Sequence, residues 1–95
     1  MTAPAAAPAV TVQVLLFASY AEALDAASVE LALEPGSTAG DALARVRAMA
    51  AERAAARGGR PLPPARVAVN ERYASEATAL RAGDVVAVIP PIAGG

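Results

Sequence analysis

The chain closes on Ile92-Ala93-Gly94-Gly95, and a Pro90-Pro91 pair stands directly before that tetrapeptide. These six residues are the ones whose types and spacing could do chemistry. Extended, they reach about 20 Å from whatever precedes them. Pro90-Pro91 favours polyproline II, which stiffens the base of the tail and projects it outward. Gly94 and Gly95 carry no Cβ, so the tip can thread a narrow channel and bring its α-carboxylate to a buried site on a partner. A free carboxylate is inert. Adenylation would convert it to an acyl phosphate anhydride, and a sulfide equivalent could then displace AMP and leave a thiocarboxylate, –C(O)SH. An amine in place of sulfide would leave an amide.

The remaining composition offers little competing chemistry. The 95 residues include no Cys and no His, and all eight basic residues are Arg. The chain therefore has no disulfide, thiolate metal site, catalytic thiol or persulfide of its own. It has no imidazole base or ligand and no Lys for a Schiff base or isopeptide bond. No paired carboxylates are set around a cleft. The expectation is a binding or carrier role without a self-contained active site, a metal site or a bound cofactor. A formal net charge of −1 and a pI near 5.3 argue against a protein that binds nucleic acid by neutralising phosphates.

A single domain must hold the tail. The length suits one domain and not two. Hydrophobic residues are 56%, but 28 of them are Ala. About 25 stronger apolar side chains remain, enough for one core under one layer. Residues 1–9 read as a disordered Ala/Pro-rich lead-in, 10–89 as the domain and 90–95 as the flexible tail. The apolar stretch Val10 to Ala18 lacks a basic leader, is broken by Gln13 and follows Pro8. It is far short of the roughly 20 residues of a membrane span. A cytoplasmic protein without membrane contact is expected.

Val10, Val12, Val14 and Leu16 alternate with Thr11, Gln13, Leu15 and Phe17, which predicts a first strand. Ser19 to Ala27 suits a short helical turn. Val29, Leu31 and Leu33 alternate with Glu30, Ala32 and Glu34 in a second strand, stopped by Pro35-Gly36 and antiparallel to the first. Thr38 with Asp41 three residues on predicts a capped helix start. Leu43, Val46, Met49 and Ala50 share one face. Arg57 before Gly58-Gly59 marks the end, so the main helix runs from Thr38 to Arg57. Pro61, Pro63 and Pro64 hold the next loop extended. Val67 and Val69 lie on a third strand, Asn70-Glu71 turns the chain, and Arg72 to Ala74 return. Leu80 anchors a loop, Gly83-Asp84 make a turn, and Val85 to Ile89 read as a central strand buried on both faces. Pro90-Pro91 ends that strand.

The last strand is the most apolar, and the helix lies between it and the first. The two should therefore be parallel neighbours. The result is an α+β domain, the ubiquitin-like β-grasp, with a mixed four- to five-stranded sheet and one main helix packed on one face. The Arg-rich helix sides (Arg45, Arg47, Arg53, Arg57) read as solvated surface. Phe17 reads as core, or as an aromatic near the sheet edge that docks a partner. Glu22, Asp25, Glu30 and Glu34 read as solvent-facing, or as an acidic patch that steers a basic partner.

Four segments resemble a known family. "LRAGDVVAVIPPIAGG" (Leu80 to Gly95) is similar to the end of the small subunit of molybdopterin synthase, a ubiquitin-like sulfur carrier of the MoaD/ThiS superfamily. "VQVLLFASYAEAL" (Val12 to Leu24), "GSTAGDALARV" (Gly36 to Val46) and "VAVNERY" (Val67 to Tyr73) resemble its first strand and turn, its helix start and its third strand. The resemblance covers nearly all of Val10 to Gly95. It implies that an E1-like adenylyltransferase uses ATP to activate Gly95 and that a sulfurtransferase system supplies the sulfur. It also implies that Pro90, Pro91, Ile92, Ala93 and Gly94 thread into the large synthase subunit, within a heterotetramer. There the sulfur would pass to cyclic pyranopterin monophosphate in molybdenum cofactor synthesis. Ile89 and Phe17 would lie at the partner interface. Two departures stand out: Ile89 occupies a position usually aromatic in the family, and the Arg57 to Ala65 loop "RGGRPLPPA" has its own composition. Sulfur supply for thiamine or cysteine synthesis is one alternative reading. A ubiquitin-like modifier joined through Gly95 to a target lysine is another, and a plain interaction domain is a third.

Overall fold

Alternating apolar side chains from four neighbouring strands converge on one side of a sheet, and a helix closes over them. The computed structural model describes residues 9–57 and 62–91, with the backbone alone for 54–57. The element order is β1 (Val10–Leu16), α1 (Ala18–Leu24), β2 (Ser28–Leu33), α2 (Ala39–Arg57), β3 (Arg66–Val69), β4 (Arg72–Ala74) and β5 (Val85–Ile89). The five strands form one mixed sheet in the order β2-β1-β5-β3-β4. β1 pairs antiparallel with β2, Val12 opposite Leu31, and parallel with β5, Val14 opposite Val86. β3 joins β5 and β4 antiparallel. This is the β-grasp arrangement expected from the pattern, with the first and last strands as parallel neighbours.

Val12, Val14 and Leu16 of β1, Leu31 and Leu33 of β2, Val67 of β3, and Val86 and Val88 of β5 form the sheet side of the core. Ala39, Ala42, Leu43, Val46 and Ala50 of α2 cover it. The small alanines bring the helix backbone close to the sheet. The lead-in Met1 to Pro8, the Gly58-Gly59 stop and Pro61 lie outside the described residues.

The helix start is the predicted capping box. Thr38 N donates to Asp41 Oδ2 at 2.8 Å, and Asp41 N donates to Thr38 Oγ1 at 3.2 Å. Two further N–H groups, of Ala39 and Gly40, donate to the carbonyls of Thr78 and Glu76 at 2.8 Å. The loop that carries Leu80, itself buried, is thereby tied to the helix end. A Cβ on Gly40 would stand 2.9 Å from the Glu76 Cβ and 3.0 Å from its carbonyl oxygen. Gly40→Ala is therefore expected to destabilise by about 1–3 kcal/mol, although Ala is the better helix former. Chemical denaturation measures this, and an equal or higher stability would disprove the tight approach.

Three expectations change. β5 is not buried on both faces. Val86 and Val88 are fully covered, whereas Val85, Ala87 and Ile89 are half-buried. The helices cover one face of the sheet, and an unbroken apolar strand here leaves an apolar outer face. Phe17 is not core but 46% exposed. It caps α1 in an extended conformation, which continues the outward parity of Leu15. Arg53 is more than solvated surface: its guanidinium donates to the Leu24 carbonyl at 2.8 Å and satisfies the end of α1 from α2. The position that sequence reading passed over is Tyr20, fully buried, whose hydroxyl donates to the Pro63 carbonyl at 2.5 Å. Burial pushes its phenol pKa up, and the Arg47 guanidinium pulls the other way.

Candidate functional site

β5 delivers the chain to the tail. Its last residue, Ile89, is half-buried, Pro90 is buried and Pro91 is exposed, so the backbone leaves the domain between the two prolines. Ile92, Ala93, Gly94 and Gly95, the residues expected to thread into a partner, lie outside the described residues.

Around this exit the sheet presents its uncovered face. Strand register places Ser28, Leu15, Ala87, Ala68 and Tyr73 in one row across all five strands. The next row towards the tail holds Ile89 opposite Arg66. Phe17, one residue beyond the β1 ladder on the same parity, stands at the same end. The structure thus brings together the two residues that sequence reading assigned to a partner interface, Phe17 and Ile89. It adds Leu15, Ala87, Tyr73 and Arg66, which that reading did not single out, whereas Ala68 in the same row is itself buried. Period-2 parity was the available signal, because Leu15 shares its phase with Gln13 and Phe17. Tyr73 is 65% exposed, and the Arg66 Cζ lies 4.7 Å from its ring centroid. Such stacking fixes an otherwise mobile guanidinium.

The other end of β5 is held by a polar knot. Asn70 and Glu71 both take left-handed φ, 50° and 71°, as a tight hairpin turn demands. The Asn70 side chain donates to Asp84 Oδ1 and accepts from Val85 N, both at 3.0 Å. Asp84 Oδ2 accepts from Arg81 N at 2.8 Å. The bond from the Arg81 backbone, then that from Asn70, holds the Asp84 carboxyl below its ordinary pKa. A depressed folded pKa contributes stability above the unfolded value, near 4, and that stability is lost as pH falls through the folded value. Asp84→Asn should therefore melt below the unaltered protein at pH 7, with the gap closing in acid. A gap in melting temperature that stays constant from pH 7 to about pH 2 would contradict this role.

Among the described residues no cluster of His, Cys, Asp or Glu could hold a metal ion. None of their helices is long and apolar enough to cross a membrane. The described residues thus set an open, largely apolar sheet face beside the point where the chain leaves the domain at Pro90-Pro91.

Comparison with known proteins follows this geometry. Residues 14–95 match the ThiS family. Small archaeal modifier protein 1 from Haloferax volcanii is 29% identical, with 90% of this chain and 99% of that chain covered and a TM-score of 0.70. A protein assigned as molybdopterin converting factor, subunit 1, from Pyrococcus furiosus is 26% identical, with 87% and 99% covered and a TM-score of 0.69. The small archaeal modifier protein 1 of Methanosarcina acetivorans, 19% identical with 92% and 98% covered, shares the fold at a TM-score of 0.68. The family match takes in the end of β1, all of β2 to β5, the long helix and the Gly-Gly tail, and the chain belongs to the ThiS family of ubiquitin-like sulfur carriers.

Proposed function

We propose that the chain carries sulfur on the carboxyl group of Gly95 and donates it to cyclic pyranopterin monophosphate in molybdopterin synthesis. The Gly95 carboxylate attacks the α-phosphate of ATP on an E1-like adenylyltransferase and releases pyrophosphate. A sulfide equivalent from a sulfurtransferase system then attacks the carbonyl, and AMP leaves. In the large synthase subunit, within a heterotetramer, the thiocarboxylate sulfur forms a C–S bond at a side-chain carbon of the pterin precursor while a C–O bond at that carbon breaks and its oxygen leaves. Two loaded chains supply the two sulfurs of the dithiolene. Water then cleaves the resulting thioester and restores the carboxylate. The apolar end of the outer sheet face, with Phe17 and Ile89, seats the partner while Pro90 to Gly94 thread its channel.

The observation that carries this reading is the family match running unbroken to Gly95. Pro90-Pro91 ahead of the Gly-Gly end favours the pterin over thiamine or cysteine synthesis. A second reading is favoured by the likeness to a small archaeal modifier protein: conjugation of Gly95 to lysines of target proteins.

Intact mass spectrometry of the chain recovered from its own cells separates the two. A fraction heavier by the exchange of one oxygen for sulfur, localised to Gly95, supports the carrier. Gly-Gly-linked lysines on other proteins, with no thiocarboxylate, support the modifier. Pterin specificity requires that the loaded chain and the large subunit convert the precursor in vitro, and a failure there overturns it.

A further inference from the structure

We propose that Arg66, stacked on Tyr73 beside the tail exit, is the charged anchor of the docking face, and that the partner protein meets it with a carboxylate. This rests on the carrier reading only in taking the partner to be the enzyme that activates Gly95.

Arg66 pairs with Ile89, the last strand residue before the tail. A protein that receives the tail and covers Leu15, Ala87 and Ile89 must also come down over Arg66. Docking strips water from its guanidinium, and a buried charge without a counter-charge opposes association. Little on the same face can supply one. Glu30 sits on β2 and Arg66 on β3, with β1 and β5 between them. Three strand spacings alone are about 14 Å, and Glu30 also lies in the Val85 row, four residues along β5 from the Ile89–Arg66 row, so the separation exceeds the screening length of about 8 Å. The counter-charge comes from the partner.

Geometry selects its kind. With one flat side of the guanidinium on the Tyr73 ring, the N–H edge stays free to form two parallel bonds, which suits a carboxylate. The phosphates of the acyl adenylate are not the expected occupant, because the reacting carbonyl lies up to a tail length of about 20 Å from Ile89. The docking face therefore fits a partner surface on which an Asp or Glu is ringed by apolar side chains. Arg66 is a specificity residue that acts at the interface and not on the reacting atoms.

The test uses the full chain and the E1-like adenylyltransferase of the same organism. Binding is titrated by calorimetry, and activation is followed by ATP–pyrophosphate exchange. Arg66→Ala is expected to raise Kd and KM about 30-fold or more with kcat within about twofold. Arg66→Glu should lose more. Arg66→Lys, which keeps the charge without the planar fork, should recover only part of the affinity, and Tyr73→Phe should bind normally. The salt dependence of binding should flatten in Arg66→Ala. Kd values for Arg66→Ala and Arg66→Glu within about twofold of the unaltered chain would overturn the inference. Arg66-dependent binding without any pyrophosphate exchange would overturn the carrier reading and leave the anchor standing. No binding by the unaltered chain overturns both.

Discussion

Removing Gly95 is expected to cut adenylation and sulfur loading by a factor of about a thousand or more, with the fold and the docking face unchanged. The loss follows from reach. One residue fewer withdraws the terminal carboxylate by about 3.3–3.6 Å. In-line attack on the ATP α-phosphate needs reacting atoms about 3–3.5 Å apart, and a misplacement of only about 1 Å costs about a hundredfold. Pro90-Pro91 is too stiff to give the lost length back, since its dihedrals are fixed near polyproline II. The fold should not notice, because the last member of the core cluster is Val88, seven positions before Gly95. The expected set is therefore an unchanged melting temperature, a Kd for the activating enzyme within a few-fold, and no pyrophosphate exchange above background. A shortened chain that still supported dithiolene formation would sink the carrier reading. A shortened chain that failed to fold would instead show that the tail belongs to the domain.

The β-grasp order was legible because each strand carries its own alternation and the helix its own cap. Val12, Val14 and Leu16, then Leu31 and Leu33, are all buried as their parity dictates. Parallel pairing of β1 with β5 followed from a connection long enough to hold the helix. The open outer face of the sheet was harder to read. In Val85 to Ile89 every residue is apolar, and an apolar run has the same look whether its second face is packed or left open. Arg53 left no trace either, because its acceptor is a main-chain carbonyl 29 positions away. Of the candidate site, Ile89, Phe17 and the prolines could be named from sequence. Arg66 and Tyr73 become a pair only once β3 and β4 fold back on each other.

Tyr20→Ala is expected to be among the most damaging single changes in the domain, a loss of about 3–5 kcal/mol. α1 has seven residues, and only Tyr20 and Leu24, one helical turn apart, are buried. A helix this short has no stability of its own, so it exists because these two side chains enter the core. Tyr20 also holds the far loop, through its hydroxyl on the Pro63 carbonyl. Truncation opens a large cavity in the core to which Tyr20 belongs and leaves that carbonyl without its donor. At about 4–8 °C per kcal/mol for a domain of this size, the melting temperature should fall by roughly 12–40 °C. Tyr20→Phe separates the two contributions. It keeps the ring, forfeits one bond of about 1 kcal/mol, and should melt only a few degrees lower. The functional consequence runs through Phe17, which caps the first turn of α1. When α1 frays, Phe17 is no longer held beside Ile89, and the activating enzyme should bind Tyr20→Ala more weakly even at temperatures where the sheet survives. A Tyr20→Ala chain within about 1 kcal/mol of the unaltered protein would show that α1 is held by Arg53 and Leu24 alone.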